Sequence, residues 1–255
     1  MKHGFVKVAA ATPKIKVADT VYNTEQIRLL MTESAAWGAR ITVFPELCIT
    51  GYTCQDLFLQ EKLLSGAKEA LMQLAEASAS LPGIYFVGLP YEINGKLYNV
   101  AAAISDGQVL GMVPKSYIPN YNEFYEVRHF TSGAELSVSV TLPDGSDVLV
   151  DREQMFVCEQ MPKLKIAVEL CEDLWTPNPP SIAHALSGAD VIVNLSASNE
   201  ITGKSAYRKE LVCGQSARLI SAYIYASAGE GESTQDLVFA GHNMIAENGR
   251  MLAES

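Results

Sequence analysis

Short apolar runs alternate with stretches of helical period along the whole of this chain. Apolar or alternating runs of about four to eight residues make strands, while apolar residues recurring every three or four positions make helices. On that basis residues 6–11 form a strand, 24–37 a helix, 41–44 a strand and 61–80 a helix. A strand at 84–89 precedes two more, 97–105 and 108–114, joined by Asp106 and Gly107, a pair suited to a tight hairpin turn. Strands at 165–170 and 191–195 flank a helix that includes 181–186, a further helix covers 206–221, and 236–252 reads as hairpin-like. Interleaved strands and helices specify an α/β architecture.

Three of these strands end on a residue able to do chemistry. Glu46 follows the strand at 41–44, Lys115 follows 109–113, and Cys171 follows 166–170. Open α/β sheets gather their ligands at the ends of strands, so a base, a cation and a nucleophile far apart in sequence can converge on one cleft. Taken singly, each residue has an ordinary reading: a cysteine at a strand end is usually a small buried hydrophobe, a lone lysine a solvated one, and a glutamate after proline a turn residue. Cys171 differs from Cys48, Cys54, Cys158 and Cys213 because the acidic pair Glu172 and Asp173 follows it directly after a buried strand.

The residue types fit nucleophilic attack on an amide. A thiol reacts as its thiolate; a nearby ammonium lowers its pKa, and a carboxylate can take its proton and return it to a leaving amine. Lys115, with a backbone N–H near Cys171, would stabilise the oxyanion, such donors contributing about 3 kcal/mol each. On this reading Lys115 matters to catalysis more than to folding.

Composition narrows the partners. A formal charge of −10 disfavours a general nucleic-acid or anionic-membrane surface, leaving a small molecule as the expected partner. Apolar residues make up 48% of 255, and glycines and prolines are dispersed without a linker, so one domain is expected. Five cysteines without tight pairing suit a reducing cytoplasm, and no run has membrane-spanning length or the form of a signal peptide. There is no Cys-x-x-Cys or His-Glu-x-x-His for a metal, no phosphate-binding glycine loop for a cofactor, and no nucleophile elbow with a His-x-Glu pair.

FPELCITGY at 44–52, PKSYIPNY at 114–121 and ELCEDLW at 169–175 resemble, in order and spacing, the three signatures of the nitrilase superfamily. Their flanks resemble the glutaminase domain of glutamine-dependent NAD synthetases. The resemblance covers nearly the whole chain and implies a four-layer α-β-β-α sandwich that hydrolyses glutamine through a cysteinyl thioester, with Glu46, Lys115 and Cys171 as base, cation and nucleophile. Ammonia would pass to a C-terminal synthetase domain that amidates deamido-NAD; that domain, with its ATP and magnesium, is absent here, and the chain reads as an N-terminal portion cut short at its C-terminus. A homo-oligomer is implied, with no cofactor bound by this part.

The same resemblance suggests substrate contacts. Tyr52 and Tyr121 match aromatic residues of the glutamine pocket, Glu126 the glutamate supporting the lysine, and Ser198 a serine at the amino-acid end of the substrate. Glu172, directly after the nucleophile, could receive the substrate ammonium, its ordinary reading being an exposed turn carboxylate. Lys204 stands where an arginine is expected for the carboxylate, a point charge replacing a two-pronged clamp. Two alternatives stay open: a stand-alone amidase or carbamoylase, and an assembly module dormant without its partner domain.

Overall fold

The computed structural model describes residues 4–255. In chain order the elements are β1 (Val8–Ala10), α1 (Thr20–Ala36), β2 (Ile41–Val43), α2 (Glu61–Ser78), β3 (Ile84–Ile93), β4 (Lys96–Ser105), β5 (Gln108–Pro114), β6 (Ser137–Thr141) and β7 (Asp147–Asp151). There follow β8 (Met155–Cys158), β9 (Met161–Leu170), α3 (Pro180–Leu186), β10 (Val191–Ser196), α4 (Lys204–Leu219), β11 (Ala222–Ser227), β12 (Met244–Glu247) and β13 (Arg250–Glu254).

The strands form two mixed sheets, one of seven in the order β1-β2-β3-β4-β5-β7-β6 and one of six in the order β13-β12-β11-β10-β9-β8. Side-chain alternation assigns each face. Phe86 of β3 points toward the second sheet, while its neighbours Tyr85 and Val87 pack with Ile27 and Met31 of α1 and Leu71 and Leu74 of α2. In the second sheet Ile166, Val168, Val191, Val193 and Ile224 meet the first, while Ala167, Ile192 and Tyr223 turn outward onto Val212 of α4. The layers are therefore α-β-β-α, as the motifs implied.

Most boundaries shift by a few residues. Helix α1 starts earlier than the apolar period indicates because the Asp19 carboxylate caps it, accepting the Tyr22 N–H at 3.0 Å. The Asp106-Gly107 turn has positive φ at both residues, 50° and 80°, as a two-residue hairpin of this kind requires. The hairpin expected at 236–252 is confined to β12 and β13, turning at Asn248-Gly249. Among the described residues no helix is long and apolar enough to cross a membrane.

Candidate active site

Glu46 leaves β2 in a compact loop in which the Leu47 carbonyl accepts the Thr50 and Gly51 N–H groups at 3.0 and 2.8 Å. Strand β3 passes tightly behind it. A Cβ on Gly88 would stand 2.7 Å from the Pro45 carbonyl oxygen and 2.9 Å from the Glu46 carbonyl carbon, so only glycine lets the two backbones approach. The Glu46 N–H donates to the Ser196 carbonyl at 3.3 Å, tying the loop to the other sheet.

The Glu46 carboxylate is fully buried and its two oxygens differ. Oε1 accepts from Lys115 Nζ at 2.6 Å and Asn99 Nδ2 at 2.7 Å. Oε2 has no hydrogen-bond partner among the described residues. Buried polar atoms are almost always paired, so an unpaired carboxylate oxygen marks a place where a proton or ligand is to be received.

Lys115 follows β5 and is as deeply buried as its partner. Its ammonium also donates to both oxygens of Glu126, at 2.7 and 2.8 Å. Burial works against this charge, but Glu126 and Glu46 outweigh it and hold the lysine well above its ordinary range, fully protonated. Burial raises the Glu126 carboxyl, with Lys115 opposing. The Tyr52 hydroxyl donates to Glu126 at 2.9 Å. Removing this cation would leave two buried carboxylates without compensation, a cost to folding beside any cost to chemistry.

Cys171 opens a single 3-10 turn, Cys171–Trp175, at the end of β9. Its φ is +42°, a left-handed conformation that is strained for a residue with a side chain. Its N–H donates to Asn194 Oδ1 at 3.2 Å. Asp173 secures the turn from below: one carboxylate oxygen accepts the Leu170 N–H at 3.0 Å, and the other accepts the N–H groups of Ser116 and Tyr117 at 3.1 and 2.9 Å. One buried carboxylate thus joins the strand end that carries Cys171 to the one that carries Lys115. Burial pushes Asp173 up to about 7 even so.

Burial and then Glu46 raise the pKa of the Cys171 thiol, with Lys115 opposing. All five cysteines are free, and burial likewise raises two others, Cys48 and Cys54, each to about 12. Acidity therefore does not single out Cys171; the carboxylate and ammonium acting on it do.

The residues predicted to contact substrate have the following settings. The Tyr121 hydroxyl donates to Glu172 at 2.9 and 3.1 Å, and that carboxyl is raised by burial instead of being a free surface group. Ser198 is buried and its hydroxyl has no partner among the described residues. Lys204, the first residue of α4, donates to Asn199 Oδ1 and lies 4.9 Å from the Trp175 ring centroid. Burial lowers its pKa.

Residues the sequence left unmarked complete the arrangement. Arg208, one turn beyond Lys204, is wholly buried and donates to the Asn199 carbonyl and to Glu200, both at 3.0 Å, bracing the segment that Lys204 touches. Glu232 accepts the Tyr52 and Thr53 N–H groups at 2.7 and 3.0 Å. With Gly229 it borders a small cavity shared with Glu46 and Cys48. A helix position one turn after Lys204 was the only available pointer to Arg208; Glu232, in a loop far along the chain, had none.

A carbon-nitrogen hydrolase family model matches residues 7–255. The glutamine-dependent NAD(+) synthetase of Mycobacterium tuberculosis is 42% identical over 254 residues, all of this chain and 37% of the relative. That of Aquifex aeolicus is 31% identical over 94% of this chain and 38% of its own length. The chain thus spans little more than a third of these curated relatives. Among solved structures, a glutamine-dependent NAD(+) synthetase from Cytophaga hutchinsonii superposes with a TM-score of 0.86 at 27% identity, covering 98% of this chain and 40% of that one. An amidase from Nesterenkonia sp. shares the fold, with a TM-score of 0.76 at 17% identity over all of this chain and 88% of its own.

Proposed function

Because the chain belongs to the carbon-nitrogen hydrolase family, we propose that it hydrolyses the side-chain amide of glutamine through a thioester on Cys171. The observation that carries this reading is the unpaired Oε2 of the buried Glu46 carboxylate, whose other oxygen is held by the Lys115 ammonium. As Sγ attacks the amide carbon, the thiol proton passes to Glu46. Negative charge grows on the carbonyl oxygen, and the Lys115 ammonium, held rigid by Glu46 and Glu126, stabilises it without reorganising. Collapse of the tetrahedral intermediate returns the proton to nitrogen and releases ammonia. Water activated by Glu46 then cleaves the thioester, giving glutamate and the free thiol.

Glutamine is favoured over a simple amide by the charges at the mouth. Glu172 offers a carboxylate to an α-ammonium, Lys204 an ammonium to an α-carboxylate, and the unpaired Ser198 hydroxyl a further polar contact. The relatives' longer chains support a wider role, in which the ammonia serves a C-terminal synthetase domain that amidates deamido-NAD. A homo-oligomer in the cytoplasm completes the reading.

The test is mass spectrometry after incubation with 6-diazo-5-oxo-L-norleucine, alongside ammonia release from glutamine and from simple aliphatic amides. An adduct on Cys171 that excess glutamine prevents supports the proposal. Release from simple amides with none from glutamine overturns the substrate assignment, and modification elsewhere overturns the nucleophile.

A further inference from the structure

Glu169, Asn194 and Tyr223 stand on the neighbouring strands β9, β10 and β11, buried on the helix-facing side of the six-stranded sheet, with Asn194 in register with Glu169. None has a part in the chemistry above. A buried carboxylate is costly to retain, yet this one is fully provided with donors.

The hydrogen bonds between them run in one direction. The Ser181 N–H, near the start of α3, donates to Glu169 Oε2 at 2.9 Å, and the Tyr223 hydroxyl donates to Glu169 Oε1. Having given its only proton to the carboxylate, the Tyr223 oxygen can do nothing toward Asn194 but accept, and it accepts from Nδ2 at 3.0 Å. The amide is thereby oriented. Its Oδ1 faces the other way, where it accepts the Cys171 N–H at 3.2 Å and the Ser196 hydroxyl at 2.6 Å. The far end of the series is thus the backbone of the one strained cysteine, with φ at +42°.

We infer that Glu169 and Tyr223 are positioning residues for the nucleophile, fixing the Asn194 amide so that it holds Cys171 in its left-handed conformation. The inference rests on Cys171 being the reactive thiol but not on which amide it attacks.

Isosteric changes can reverse the direction of the series without emptying it. In Glu169→Gln the Ser181 N–H still requires an acceptor, so the new amide must turn its oxygen there and its NH2 toward Tyr223. Tyr223 then donates to Asn194, whose amide flips and presents NH2 to the Cys171 N–H. In Asn194→Asp alone, a carboxylate faces the lone pairs of Tyr223. Combined, the two changes agree again: the introduced glutamine donates to Tyr223, Tyr223 donates to the introduced aspartate, and the other oxygen of that aspartate accepts from Cys171.

The experiment measures the rate of alkylation of Cys171 by iodoacetamide, mapped by mass spectrometry, with the Cys213 rate as internal standard and KM for glutamine determined in parallel. Each single variant is expected to slow Cys171 about tenfold, the rate equivalent of the strain released, with Cys213 and KM unchanged. The double variant is expected to react faster than either. Wild-type reactivity in folded Glu169→Gln, or a double variant slower than both singles, overturns the inference. Should Glu169→Gln not fold, Tyr223→Phe frees the Asn194 amide instead; slowed Cys171 there supports the inference and an unchanged rate overturns it. Failure of the wild-type protein to react at Cys171 would count against the nucleophile assignment itself.

Discussion

Glu46 and Glu126 accept hydrogen bonds from one ammonium, that of Lys115, at 2.6 and 2.7 Å. Two buried carboxylates therefore share a single positive charge, and only Glu46 keeps an oxygen without a partner. This division separates their roles. Glu46 is left able to take a proton, while Glu126, with both oxygens on Lys115 and one also on Tyr52, is occupied in holding the cation.

Glu46→Gln keeps the shape of the site and removes the proton acceptor. Ammonia release should fall by about 10²–10⁴, the usual worth of a positioned general base, while melting temperature changes little. Activity near wild type would exclude Glu46 as the base.

Lys115→Met should abolish activity and also destabilise the fold by about 3–5 kcal/mol, because it strands two buried carboxylates. Adding Glu126→Gln should recover part of the lost stability but none of the activity. Urea titration of both variants checks this; a single variant as stable as the wild type contradicts it.

Asp173 gives a pH dependence of definite sign. Its carboxyl lies near 3.8 when unfolded and is pushed up to about 7 in the fold. A raised carboxyl contributes stability that is fully present below the unfolded value and is lost as pH rises toward the folded one. The deficit of Asp173→Asn relative to wild type should accordingly be greatest near pH 4, shrink toward pH 7 and stay level above it. Urea midpoints for both proteins across this range test the sign, and a deficit that grows with pH would refute it.

Gly88→Ala places a methyl group against the Pro45 carbonyl. Overpacking of this kind costs about 1–3 kcal/mol, and here the displaced backbone carries Glu46. Activity should fall more than the loss of folded protein accounts for, measured as ammonia release per folded molecule.

What could be read in advance followed from local rules. The three strand ends were legible because apolar runs stop abruptly at Glu46, Lys115 and Cys171, and the sheet's geometry brings such ends together. Strand β11 went unrecognised although Tyr223 and Tyr225 alternate with Ile224 and Ala226 across its two faces, because it follows α4 with almost no intervening turn. The polar strands β6 and β7 lack a continuous apolar run, and Ser137, Ser139 and Thr141 face solvent. Glu169 looked like an ordinary strand residue beside the cysteine; its partners on β11 and α3 exist only once the chain has folded. The upward push on the Cys171 thiol is likewise beyond composition, since its largest cause is burial by the folded chain.

Glu46 and Lys115 hang from strands of the seven-stranded sheet, Cys171 from a strand of the six-stranded one. With the roles proposed above, one sheet supplies the base and cation and the other the nucleophile, so the set exists only across the two. On these roles, hydrolysis requires both sheets packed face to face, and neither sheet alone carries the machinery for it.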